Sequence, residues 1–97
     1  SNKTYLDSEV NVKDCLESIE NNNLDLALKI CTKAIERFPD NPKILGQRSL
    51  LYTLSGQNIL ACVDAENALI MLSYKNESID PLTKYQIKIR HNSCKKQ

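Results

Sequence analysis

Apolar residues along this chain fall in blocks with helical spacing. Leu24, Ala27, Leu28, Cys31, Ala34, Ile35 and Phe38 recur at intervals of three and four, placing one apolar stripe on a helix over 24–37. Phe38-Pro39-Asp40-Asn41-Pro42 stops it. Asn41 is a good N-cap and Pro42 fits the first turn of a following helix over 42–55, which Ser55-Gly56 closes. Ala61, Ala65, Ala68, Leu69 and Leu72 mark a helix over 58–73. Upstream, Val12, Leu16 and Ile19 mark one over 9–21 that runs out into Asn21-Asn22-Asn23. Asp80-Pro81 repeats the cap-plus-proline start and opens a fifth helix over 81–94. Tyr85, Ile87, Ile89 and His91 also alternate as in a strand. Helix is the better reading, because a lone strand has no sheet to join.

Several apolar residues lie off these stripes: Ile30, Leu50, Leu54, Leu60, Val63 and Ile70. Helices that are apolar on more than one side need cover on more than one side, which stacked helical hairpins supply. The chain also repeats itself at an offset of 34. Asn22 falls on Gly56, Ala27 on Ala61, Ala34 on Ala68, Cys15 on Ser49, Cys31 on Ala65, Leu16 on Leu50 and Ile35 on Leu69. Small residues meet small, large apolar residues meet large, and turn formers meet turn formers. Not every pair agrees: Leu24 falls on Asn58 and Asp14 on Arg48.

A helix–turn–helix period of this length resembles the tetratricopeptide repeat. Ser49, Tyr52, Ala61 and Ala68 stand where that family carries a small residue, tyrosine, alanine and alanine. In the first repeat Cys15, Ala27, Ala34 and Pro39 stand at its small-residue, two alanine and proline places, and Ser18 stands where tyrosine is usual. Asp64-Ala65-Glu66-Asn67-Ala68-Leu69 is similar to the second helix of repeats in chaperone-associated members. The second repeat departs from the pattern at Ser73, where proline is usual. The resemblance implies an all-α, right-handed solenoid of helical hairpins. One domain over 1–97 is expected, with repeats at about 8–41 and 42–75 and a capping helix at about 81–94.

The resemblance also implies a protein-binding module that docks a peptide or amphipathic helix on the surface made by the first helix of each repeat. The expected site is Val12, Leu16, Ile19, Gln47, Leu50 and Leu54, an apolar groove, with Lys84 and Lys88 orienting the partner at one end. The same apolar residues also fit ordinary core covered by a neighbouring repeat, and both readings stand on the sequence. One alternative function is a co-chaperone that captures the acidic C-terminal tail of a heat-shock chaperone. For its clamp Gln47 supplies an amide and Lys84 and Lys88 the cations, but Val12 and Leu16 occupy places where the clamp has Lys and Asn. Another alternative is an accessory piece of a larger enzyme.

Composition narrows the rest. Hydrophobic residues make up 41% of the chain, which excludes a disordered tail. Two glycines and three prolines are too few for a turn-rich β protein or a phosphate-cradling glycine loop. With 13 basic and 12 acidic residues the net charge is +1, so no nucleic-acid or membrane partner is expected. The basic residues Lys84, Lys88, Arg90, Lys95 and Lys96 read as a solvated helix face. His91 is the sole histidine and has no nucleophile or metal-ligand partner in a recognised motif, so neither enzyme activity, cofactor nor metal is expected. The four cysteines, Cys15, Cys31, Cys62 and Cys94, lack paired spacing and read as reduced, buried small hydrophobes. That implies a cytoplasmic protein, with the nucleus as second choice. Asn76-Glu77-Ser78 matches a glycosylation sequon but reads as chance. No apolar run approaches the ~20 residues of a bilayer span, and no signal-type opening is read.

Overall fold

The computed structural model describes residues 9–74 and 79–95. Ser8, the sequon at 76–78 and Lys96 lie outside them. Five α-helices are present among the described residues: α1 (Val12–Glu17), α2 (Leu24–Arg37), α3 (Pro42–Leu54), α4 (Asn58–Tyr74) and α5 (Pro81–Cys94). A 3-10 turn, Ser18–Asn21, continues α1. No strand occurs among those residues, and no helix is long and apolar enough to cross a membrane.

The helix starts are set by side chains that satisfy orphan backbone N–H groups. Asn11 and Asp14 form a reciprocal capping box on α1, the Asp14 amide donating to Asn11 Oδ1 at 2.9 Å and the Asn11 amide to Asp14 Oδ2 at 3.0 Å. Asn23 Oδ1 accepts from the Leu26 amide at 3.0 Å, and Asn41 Oδ1 from the Lys43 amide at 2.9 Å. At α5, Asp80 accepts from both the amide and the hydroxyl of Thr83, at 3.1 and 2.7 Å. The helix exits repeat as well. Asn22, with φ of 53°, and Gly56, with φ of 78°, are the positive-φ residues among those described, and they are 34 apart in sequence (56−22). Asparagine and glycine are the residues that enter the left-handed region at least cost.

Each helix packs on the next in sequence, and α3 also packs on both α1 and α5. The first core joins Val10, Cys15, Ala27, Ile30, Cys31, Ala34, Ile44 and Leu51; a second joins Leu45, Ala68 and Ile87. Ala27, Ala34, Ala61 and Ala68 are all buried, as the offset predicts. Small side chains let neighbouring helix axes approach. Gly46 takes this to its limit: a Cβ there would lie 3.1 Å from Ile87 Cγ1, so the missing side chain of α3 is the seat of α5. Helix α4 differs from the others. Its inner face carries Ala61, Ala65 and Ala68, while Ile59 and Tyr74 on its outer side are 80% and 82% exposed.

The cysteines correct an expectation. They are not reduced: Cys15 is bonded to Cys31 and Cys62 to Cys94, and no free thiol remains. The Cα atoms of the pairs lie 4.5 and 5.7 Å apart. The partner of Cys15 sits sixteen residues away on the other helix of its hairpin rather than three residues away, so a search for C-x-x-C passes over it. Intact mass should therefore fall by four hydrogens rather than by none. The expectation of a reducing cytoplasm rested on free thiols and loses that support.

Candidate functional site

Where α1, α3 and α5 meet, their facing side chains leave a cavity of about 100 Å³. Leu16 contributes from α1, and Lys43, Gly46, Gln47 and Leu50 from α3. Thr83, Gln86, Ile87 and Arg90 close it from α5. It adjoins the crossing where Gly46 of α3 meets Ile87 of α5. Its floor is apolar, from Leu16, Leu50 and Ile87, and its rim carries two amides and two cations.

The cations differ in surroundings. Lys43 Nζ lies 3.7 Å from Asp80 Oδ1, an exposed pair. Arg90 has no acidic partner among the described residues, and burial alone pushes its guanidinium below its ordinary pKa. It stays charged, since arginine does not lose its proton in proteins. A part-buried cation without a counter-charge favours any carboxylate that reaches it.

A second, more open hollow of about 310 Å³ is lined by Ile19, Asn22, Asn23, Leu24, Ala27 and Leu54. The residues expected to form a site thus separate into groups. Leu16, Gln47 and Leu50 converge in the first cavity, and Ile19 and Leu54 in the second. Val12 is partly buried and packs on the first core. Lys84 and Lys88 are exposed on α5 and line neither hollow. The cations that do reach the groove are Lys43 and Arg90. Sequence reasoning placed Arg90 in a basic run without separating its face from that of Lys84 and Lys88. The helical angle distinguishes them: Arg90 is seven residues from Thr83 and three from Ile87, the two buried residues of α5.

Two further polar features support the walls. Arg48 is held by Asp64 through two hydrogen bonds, at 2.7 and 2.9 Å, and reaches Thr32 Oγ1 on α2 at 3.2 Å. The hydrogen bonds to Asp64 raise the Arg48 pKa above its ordinary value, against the opposing effect of burial. The Arg48 guanidinium also sits 5.5 Å from the centre of the Tyr52 ring. Ser49 donates to the Ala61 carbonyl at 2.7 Å, tying α3 to α4 next to that pair.

Comparison of the chain with protein-family models, with curated proteins and with solved structures returned no match. Among the described residues no group of three or more His, Cys, Asp or Glu is placed to hold a metal ion.

Proposed function

We propose that this chain is a protein-docking module of tetratricopeptide type, and that an apolar segment of a partner protein lies in the groove between α1, α3 and α5. The observation that carries the reading is the convergence of Leu16, Gln47 and Leu50 beneath α5. The cavity has room for about one side chain of the partner. Burying such an anchor is favourable by about 25 cal/mol per Å² of apolar surface removed from water. Gln47, Gln86 and Arg90 at the rim supply directional bonds to the partner backbone or to a carboxylate beside the anchor. The packing of α3 on α1, α2, α4 and α5, together with the repeated exits at Asn22 and Gly56, supports the hairpin-solenoid reading. The alternative of a chaperone-tail clamp gains no support from Lys84 and Lys88, since neither lines the groove.

The test is selection of helical and extended peptides from a displayed library, followed by affinity measurements at low and high salt. Leu50→Asp should abolish binding of the selected peptides while circular dichroism stays unchanged. Ile59→Asp, on the outer side of α4, should leave it intact. Affinity should change little with salt, because the main driving force is apolar. If instead Lys88→Ala is the crippling change and binding collapses with salt, the clamp reading replaces this one.

A further inference from the structure

The two disulfides have unequal surroundings. Cys15 and Cys31 are both fully buried within the first core. Cys62 and Cys94 are each only half-buried. They border a cavity of about 70 Å³ between α3, α4 and α5 whose other lining includes Ser49, Asn58, Arg90 and Ser93. Thiol–disulfide exchange needs a thiolate to reach a sulfur, so the second bridge is open to attack where the first is sealed. Arg90 lines the same cavity, and a positive charge there favours both the incoming thiolate and the one released.

The bridge also stands at the weakest part of its helix. Thr83 and Ile87 are the buried residues of α5, and both belong to its first half. The second half reads Lys88-Ile89-Arg90-His91-Asn92-Ser93-Cys94, where Ile89 is 43% exposed and His, Asn, Ser and Cys are weak helix formers. The bond from Cys94 to Cys62 on α4 is the one covalent anchor of these turns among the described residues. Arg90 lies in the same turns and lines both the small cavity and the groove.

We propose that the Cys62–Cys94 disulfide is a reducible latch that holds the last turns of α5 as one wall of the groove. A small dithiol opens it in two steps. A thiolate of the dithiol attacks one sulfur, forming a mixed disulfide and releasing the other cysteine, which takes up a proton. The second thiol of the reductant, as its thiolate, then displaces the remaining cysteine sulfur. The reductant leaves as its own disulfide, two electrons pass to the bridge, and both cysteines end as thiols. Helix α5 then frays from its C-terminal end, Arg90 loses its fixed place, and the groove loses a wall. The Cys15–Cys31 hairpin stays closed. The regulatory meaning of the latch rests on the docking reading above; the latch itself does not.

The experiment therefore needs no partner. The oxidised protein is treated with increasing dithiothreitol, alkylated with iodoacetamide and mapped by peptide mass, with amide hydrogen exchange followed in parallel. Cys62 and Cys94 should be alkylated faster than Cys15 and Cys31 by roughly tenfold or more. Exchange should rise in 88–95 while 24–37 stays protected. The double variant Cys62→Ser/Cys94→Ser should show the same exchange pattern without reductant. The chain has no tryptophan, so Leu50→Trp places a single reporter in the groove. Its quenching by acrylamide should rise by roughly twofold on reduction as the wall opens. Simultaneous reduction of both bridges, or unchanged exchange in 88–95 after selective reduction, overturns the proposal. Selective reduction with fraying, but with peptides selected as above still bound equally well, would overturn the latch's control of the groove and leave docking itself standing.

Discussion

In the α1–α2 hairpin, Cys15 is bonded to Cys31, sixteen residues further on. In the α3–α4 hairpin the same register holds Ser49 and Ala65, and the neighbouring pair Arg48 and Asp64, also sixteen apart, carries the ion pair. Shifting Arg48 and Asp64 back by the 34-residue offset lands on Asp14 and Ile30. Asp14 caps its own helix and Ile30 is buried in the core. At the matching sequence offset, then, one hairpin is fastened covalently and the other by an ion pair. The two fasteners act on different states. A disulfide works largely by restricting the unfolded chain, whereas an ion pair works in the fold, against the loss of water around both charges. Reductant strong enough to reach the buried bridge removes the first and leaves the second untouched.

The most severe way to break the second hairpin is Asp64→Ala. Arg48 is 18% exposed and Asp64 4%, so the variant leaves a largely buried guanidinium without its hydrogen-bonded carboxylate. The expected loss is about 3–5 kcal/mol in urea unfolding. Replacing both members with apolar residues, as in Arg48→Met/Asp64→Leu, should recover most of it, because the stranded charge is then gone. A double variant as unstable as Asp64→Ala would show that the bonds themselves, and not the stranded charge, carry the effect.

The matching change in the first hairpin is Cys15→Ser/Cys31→Ala, which copies Ser49 and Ala65 into it. Without the bridge and without an ion pair, this hairpin should lose about 3 kcal/mol, the amount associated with a loop of this length. The loss should vanish when parent and variant are compared in strong reductant.

The smallest effect is expected at the exposed carboxylate that starts α5. Hydrogen bonds from the Thr83 hydroxyl and amide, in that order of weight, hold the Asp80 carboxyl below its ordinary pKa. A carboxyl held low in the fold favours the fold above its unfolded value, and that contribution fades as pH falls through the folded value. Protection of the Thr83 amide should accordingly fall in acid, below about pH 4, with Asp80→Asn showing a flatter profile. An equal acid response in both would remove Asp80 as its source.

Much of this architecture was legible because it is local. The caps at Asn23, Asn41 and Asp80 and the exits at Asn22 and Gly56 are short-range chemistry, so the helices begin and end close to where the pattern places them. The first helix gives way to a 3-10 turn after Glu17, which periodicity does not register. What stayed hidden spans helices. Asp14 opposite Arg48 reads as a flaw in the repeat when only one hairpin is in view. It marks the place where the second hairpin carries its ion pair. The disulfides were missed in the same way, since their partners, 16 and 32 residues apart, are set by how whole helices pack and not by adjacency. Arg90 escaped notice because a run of basic residues does not show which of them faces inward.

The separations within the two disulfides also bear on the order in which the chain becomes a molecule. The loops span 16 and 32 residues, and a doubling of loop length costs only about 0.6 kcal/mol of closure entropy. Length alone therefore barely ranks them. Assembly does. Cys15 and Cys31 meet as soon as one hairpin closes, whereas Cys94 reaches Cys62 only after α5 has found its seat with Ile87 on Gly46. A chain emerging from its amino end offers the first pair to each other long before Cys94 exists. Once that hairpin is sealed in the core, Cys62 has a single cysteine left to choose. Position along the chain thus acts as a proofreader, and the correct bridges are the ones that become available in turn.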